Sequence, residues 1–376
     1  MLNMLKKTFD DARGAGSYPA PAASAESVEL NADLYSRRTF IRDLAAFSVA
    51  GSVLASCARA GATGGGAAAL QSVGASSVRP TVDGIGLQLY TVSDQLRTDF
   101  DGTIEKVAQI GYRQVEFAGY ANKTPEQVRA LLDRLKLKSP STHIAMDALR
   151  KDLETQMHIA EVVGHEYITI PSLGRSETPM NTVDAWKRVA DECNALGTKL
   201  KARGLKLAFH SHSGEFVDVG GGKTGMDVFV TETDPSLFTF EMDLGWARVA
   251  SQDPVAWFNK YPGRFRMWHV KDFESLKIAQ DRETKVLRDA ASVAPRAVAV
   301  PPGGGGRGAG GAPSAPQPGR PSPVGAGDID FKPIIAAWRT AGLQYFFVEQ
   351  DGAAQWPVWS IASAATSYHN LRKLLS

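Results

Sequence analysis

The sequence predicts a single α/β domain folded as a (β/α)8 TIM barrel. Three observations carry that expectation. From residue 84 onward, apolar strand-like runs alternate strictly with segments of helical spacing, and strict alternation implies parallel strands joined by crossover helices. Glycine closes several helices just before the next strand, at Gly111, Gly164, Gly204 and Gly342, as a helix stop signal should. No G-x-G-x-x-G follows the first strand, which speaks against the competing open, doubly wound sheet.

The elements follow in order. Residues 85–91 are an apolar strand and 98–110 a helix by the spacing of their apolar positions. The next pairs are strand 112–118 with helix 124–135, and short strand 138–144 with helix 149–163. Strand 167–172 precedes a long helix, 181–203, and strand 205–212 precedes helix 225–233. Strand 238–246 leads to a short helix, 254–261, and then comes strand 265–272. An insertion, 274–327, interrupts the pattern. It begins charged, then turns rich in Ala, Pro and Gly from Ala291. Such composition cannot build a core, so a loosely held loop is expected on the face where barrel active sites lie. Helix 331–341, strand 345–350 and helix 356–375 complete eight units.

Composition narrows the function. Hydrophobic residues make up 43% and charged residues 22% of the 376, the balance of a globular protein. With 42 basic against 40 acidic residues the net charge is +2, which excludes a strongly basic nucleic-acid binder. Cys57 and Cys193 are the only cysteines, so a disulfide scaffold or Cys-rich metal site is excluded.

The first 80 residues stand outside the barrel. Ser36-Arg37-Arg38-Thr39-Phe40-Ile41-Arg42 resembles a twin-arginine export signal, and an apolar stretch, 44–55, follows it. Leu54-Ala55-Ser56-Cys57 resembles a bacterial lipobox. The expectation is an export signal over 1–57, cut before a Cys57 that takes lipid and holds the protein at a membrane in the periplasm or cell envelope. Residues 58–82, rich in Gly, Ala and Ser, then form a flexible linker, and 83–376 the barrel.

Strands of a parallel barrel should be almost continuously apolar, yet several carry polar groups near their C-terminal ends. The second strand has Glu116, the third His143, the fifth His210 and His212, and the sixth Glu241 and Asp243. The seventh has His269, Lys271 and Asp272, and the eighth Glu349. Alternation puts His210 with His212, and His269 with Lys271, on shared faces. Burying these groups unpaired would cost several kcal/mol each. One shared partner at the barrel mouth is the economical solution, and two imidazoles with two carboxylates suit one divalent cation such as Mn²⁺, Co²⁺ or Zn²⁺.

These residues resemble the xylose isomerase-like TIM-barrel family, also called sugar phosphate isomerases/epimerases. Gly86-Leu87-Gln88-Leu89-Tyr90, Gly111-Tyr112-Arg113-Gln114-Val115-Glu116-Phe117, His210-Ser211-His212, Met242-Asp243-Leu244-Gly245-Trp246, His269-Val270-Lys271-Asp272 and Phe347-Val348-Glu349-Gln350-Asp351 carry the resemblance. It implies metal ligands at Asp243, His269 and Glu349, with His210 at a position where the family usually has Glu. It also implies an isomerase or epimerase that abstracts a proton beside a carbonyl through an enediolate. Glu349 is then the base, His212 or Lys271 the second catalytic group, and Glu116, His143, Glu215, Tyr90 and Trp246 the candidate substrate contacts. An exported enzyme meets few sugar phosphates, so the expected substrate is an unphosphorylated sugar or glycoside. Two alternatives remain at this stage: a lyase or hydratase acting on a keto-glycoside, and a lipid-anchored sugar-binding protein without turnover. A nuclease reading lacks a basic DNA face.

Overall fold

The computed structural model describes residues 77–173, 180–292, 319–353 and 357–376. The expected export signal, Cys57, nearly all of the linker and most of the Ala/Pro/Gly-rich part of the insertion lie outside the described residues. Strands β1 (Ile85–Gln88), β2 (Gln114–Phe117), β3 (Lys138–His143), β4 (Tyr167–Ile170), β5 (Lys206–His210), β6 (Phe238–Asp243) and β7 (Met267–Val270) run in chain order. A two-stranded ribbon, β8 (Asp272–Glu274) with β9 (Arg320–Ser322), intervenes before the eighth barrel strand, β10 (Tyr345–Val348). The barrel closes in the order β1-β10-β7-β6-β5-β4-β3-β2, and its pairings are parallel. The predicted barrel is thus the observed one.

The inside of the barrel is layered. Tyr167, Ala208, Met267 and Phe347 form a small buried apolar cluster of their own, separate from the large core between strands and helices. Alternation places His210 and His269 one step further along the same faces as Ala208 and Met267. The apolar cluster is therefore a floor beneath the polar residues. Gly86 makes room for it: a Cβ there would stand 2.3 Å from Cδ1 of Phe347.

Among the boundaries that differ from expectation, three have a clear local reason. The first strand stops at Gln88 because the Gln88 side chain accepts the N–H of Tyr90 (2.9 Å) and starts a 3-10 turn, Leu89–Val92, which passes into helix Ser93–Thr98. The sixth strand stops at Asp243 rather than at Trp246. Asp243 Oδ1 accepts the N–H of Trp246 at 2.8 Å and caps helix Leu244–Val249, a standard N-cap. Gly245 lets that helix lie on β7, since a Cβ there would stand 2.7 Å from the Lys271 carbonyl. The charged opening of the insertion is not loop: Leu276–Ser292 is a helix. Asp272 pins both ends of the excursion. Its carboxylate accepts the N–H groups of Phe273, Gly325, Gly327 and Ile329 at 2.8, 2.9, 3.0 and 3.2 Å.

His165 lies just before β4. It is buried, with Nδ1 2.8 Å from the Ser139 carbonyl and Nε2 2.9 Å from the Tyr120 hydroxyl. Both contacts suit a neutral ring that donates from Nδ1. Burial pushes its pKa down to about 4, whereas the unfolded chain binds the proton near pH 6.5. Stability present above about pH 6.5 should therefore fall as pH drops toward 4, by up to about 3 kcal/mol. Chemical denaturation of wild type and His165→Asn checks this. The stability gap between them should narrow from pH 7.5 to pH 4.5; a constant gap would remove His165 as the titrating group.

Candidate metal centre at the barrel mouth

The strand ends deliver their polar side chains to one point. His210, Asp243, His269 and Glu349 each offer a ligand atom, and those atoms lie within 4.8 Å of one another, all four residues buried. They are the four ligands expected from the sequence. Parallel register accounts for the meeting. Asp243 stands opposite His269 across β6 and β7, and Glu349 follows β10 with its N–H on the Val270 carbonyl at 3.3 Å.

His269 is the centre of the cluster. Nδ1 lies 2.7 Å from Glu349 Oε2, and Nε2 lies 2.7 Å from Glu116 Oε2 and 3.2 Å from Glu241 Oε2. Burial alone would discharge the ring; Glu241, Glu349 and Glu116 outweigh it and hold the imidazolium well above its usual range. His210 stacks close by, with ring centroids 4.2 Å apart. Burial and the charge of His269 keep His210 neutral, far below the ordinary value.

Lys271 is wholly buried. Its Nζ lies 2.7 Å from Asp351 Oδ2, 2.8 Å from Asp243 Oδ2 and 2.9 Å from Glu349 Oε2. It therefore occupies the position of positive charge between two of the candidate ligands. Burial opposes its charge, but Asp243, Asp351 and Glu349 hold its ammonium well above the usual lysine range. The same contacts act on the acids. Burial would raise Glu349, yet Lys271 and His269 hold it well below the carboxylate range. For Asp243, burial prevails over Lys271 and lifts the carboxyl to about 6.

The remaining expected site residues divide between mouth and interior. Trp246 leans on the mouth, with Nε1 donating to Asp351 Oδ2 at 3.0 Å and its ring 5.6 Å from Lys271 Nζ. Tyr90 is half-buried within the electrostatic reach of Asp351, Glu349 and Lys271. His212 crosses over His210 at 4.6 Å between centroids, and burial with Lys271 nearby lowers its pKa to about 3. Glu215 turns back on its own loop, accepting the His212 N–H at 2.7 Å, and burial lifts its carboxyl to about 7.

Glu116 is sealed inside the barrel, whereas His143 beside it stays partly exposed. Glu116 is 0% exposed, held by Gln88 Nε2 at 2.8 Å as well as by His269. His143 Nε2 lies 2.9 Å from Glu241 Oε2 and 3.3 Å from Glu116 Oε2. Glu241, Gln88 and Asp351 received no role from the sequence. Alternation carried the signal for two of them, since Glu241 shares a face with Asp243, and Asp351 with Glu349.

The donor set fits a divalent cation. Two imidazole nitrogens and two carboxylates converge, and carboxylates that must otherwise borrow Lys271 and a protonated His269 are ready anionic ligands.

A family model described as xylose isomerase-like TIM barrel matches residues 104–365. The inosose dehydratase of Lacticaseibacillus casei is 24% identical over 275 residues, which cover 68% of this chain and 83% of that protein. Among solved structures, a sugar phosphate isomerase/epimerase from Parabacteroides distasonis superposes with a TM-score of 0.58 at 21% identity, over 79% of this chain and 96% of that one. The IolI protein, solved with a bound zinc atom, superposes with a TM-score of 0.53 at 11% identity, over 78% and 98% of the two chains. These likenesses support the shared barrel fold.

Removing Lys271 tests the charge balance. Lys271→Met leaves Asp243, Glu349 and Asp351 facing one another without the ammonium, and should cost about 3–5 kcal/mol in cation-free buffer. Added Mn²⁺, Co²⁺ or Zn²⁺ should raise the melting temperature of this variant more than that of wild type, because the cation replaces the lost charge. Equal thermal shifts would show that Lys271 and the cation do not share a position.

Proposed function

The chain belongs to the xylose isomerase-like TIM-barrel family of enzymes, and from that premise we propose that it catalyses a metal-dependent elimination of water from an unphosphorylated keto-sugar or keto-glycoside. The carrying observation is the asymmetry of the mouth. Glu349 is the one carboxylate poised as a base, held ionised by Lys271 and His269. The fifth-strand position, where the resemblance implies a second glutamate, holds His210. Epimerisation needs bases on both faces of one carbon. Elimination needs a base at the carbon and an acid at the leaving hydroxyl.

A cation held by His210, Asp243, His269 and Glu349 would supply Lewis-acid charge opposite the substrate carbonyl. Glu349 takes the proton from the carbon beside that carbonyl. The Lys271 ammonium neutralises the oxyanion as it forms. The proton that Glu349 has taken passes to the departing hydroxyl; the C–O bond breaks, a carbon–carbon double bond forms, and water leaves. Trp246 offers an apolar face to the sugar ring. The dehydratase name of the Lacticaseibacillus relative supports the same chemistry.

Isomerisation shares the first half of this reaction. His212, edge-on to His210, favours it as the group that would return the proton to a neighbouring carbon. Product analysis separates the two readings: elimination gives a product lighter by one water, whereas isomerisation conserves mass. In D₂O both exchange label into recovered substrate wherever proton removal is reversible. Glu349→Gln should lower turnover roughly 10²–10⁴-fold while substrate still binds. Undiminished turnover in that variant would sink both readings, and binding without turnover in wild type would leave a sugar-binding protein.

We further propose that the enzyme works beyond the cytoplasmic membrane, anchored by lipid on Cys57, as Arg37-Arg38 and Leu54-Ala55-Ser56-Cys57 suggest. Replacing both arginines by lysine should retain the precursor in the cytoplasm on cell fractionation. Cys57→Ser should abolish fatty-acid labelling. Unchanged fractionation and labelling would refute the export reading.

A further inference from the structure

The metal reading leaves two wholly buried carboxylates, Glu116 and Glu241, without a task. Neither belongs to the set His210, Asp243, His269 and Glu349, and ionised carboxylates inside a barrel are costly where apolar side chains would serve. Their position relative to the two ligand histidines supplies the reason.

Both histidines are two-faced. His269 turns Nδ1 to the ligand Glu349 at 2.7 Å and Nε2 to Glu116 at 2.7 Å. His210 turns Nε2 toward the ligand Asp243 at 3.8 Å and Nδ1 toward Glu241 at 3.2 Å. In each ring the outer nitrogen faces the centre and the inner nitrogen faces an interior glutamate. His143 links the glutamates from between, 2.9 Å from Glu241 and 3.3 Å from Glu116. Gln88 steadies Glu116 from β1 at 2.8 Å.

We propose that Glu116 and Glu241 are positioning residues for the metal centre, holding His269 and His210 in the one tautomer and ring orientation that leaves the outer nitrogen free to bind a cation. A neutral imidazole carries one proton. When the outer nitrogen binds a cation, the proton sits on the inner nitrogen, and a buried N–H there needs an acceptor. Glu116 accepts from His269. Glu241 is the acceptor aimed at His210, whose Nδ1 makes no well-angled hydrogen bond in the cation-free chain. Here lies the reason His210 works at a position where the resemblance implies glutamate. A carboxylate ligand has two equivalent oxygens and needs no tautomer chosen, whereas an imidazole does, and Glu241, two residues before Asp243 on the neighbouring strand, makes the choice.

This inference rests on the metal reading, and the test separates the two. The probe is Co²⁺ added to the full chain, with its dissociation constant measured by chelator competition and its ligand-field spectrum recorded, for wild type, Glu116→Gln and Glu241→Gln. The inference expects one Co²⁺ per wild-type chain, roughly 10–100-fold weaker binding in each variant, and altered visible bands. Should a variant fail to fold, the wild type still decides: ¹⁵N-histidine spectra of the Zn²⁺-loaded chain should show the proton on Nε2 of His269 and on Nδ1 of His210. Variants that bind Co²⁺ as tightly as wild type with the same spectrum, or protons on the outer nitrogens, would overturn the positioning role while the metal reading stands. Two ions per chain would overturn it too, making the inner glutamates ligands. A wild type that takes up no Co²⁺ or Zn²⁺ removes the metal reading and this inference with it.

Discussion

His269 holds the mouth of this barrel together. One nitrogen meets Glu349, just after β10, and the other meets Glu116 on β2, the two strands that flank β1. A buried imidazole can serve two carboxylates only while it is an imidazolium, or while a cation replaces the proton on one side. Every neighbouring charge follows from that constraint. Glu241 needs His143 to balance it, and Glu349 and Asp243 need Lys271. In the cation-free chain each of His143, His269 and Lys271 is shared among two or more carboxylates, and such pairing is the condition under which charged groups persist inside a protein.

The scaffold makes that set possible by separating polar from apolar layers along the same strands. In β5 and β7 the inward positions pass from Ala208 and Met267 in the floor to His210 and His269, and then to His212 and Lys271 beyond the strand ends. The floor seals the base with Tyr167 and Phe347, so chemistry is confined to the end where the loops leave. Close approach then sets the rim. Gly245 allows helix Leu244–Val249 to seat against β7, and the same helix carries Trp246 onto Lys271 and Asp351.

The excursion after β7 is bound into this rim. Asp272 gathers four backbone N–H groups from both sides of the insertion, and so returns the chain to the barrel at the point where it left. Helix Leu276–Ser292 then reaches the loop after β5, where Ser213 Oγ donates to Glu283 Oε1 at 2.5 Å, and Gln280 Nε2 donates to the Arg248 carbonyl at 2.8 Å. Asp272 read as one more polar strand end in the sequence; in the fold it is the clasp of a loop. Backbone N–H groups are invisible to a reading of side-chain types, so that difference had no sequence signal.

Alternation of strand and helix, the glycine stops and the polar residues at strand ends determined the barrel and the pool of candidate site residues, from which the family resemblance picked the four candidate ligands. These are local properties: period, capping chemistry and side-chain type repeat within a few residues. Only the tertiary structure decided which polar residues face the opening and which face inward. Glu116 and Glu349 are both glutamates near the ends of apolar strands, yet one is sealed beneath His269 and the other stands at the mouth. Their depth depends on the stagger of eight strands around the barrel, a relation between residues far apart in the chain that no local pattern carries.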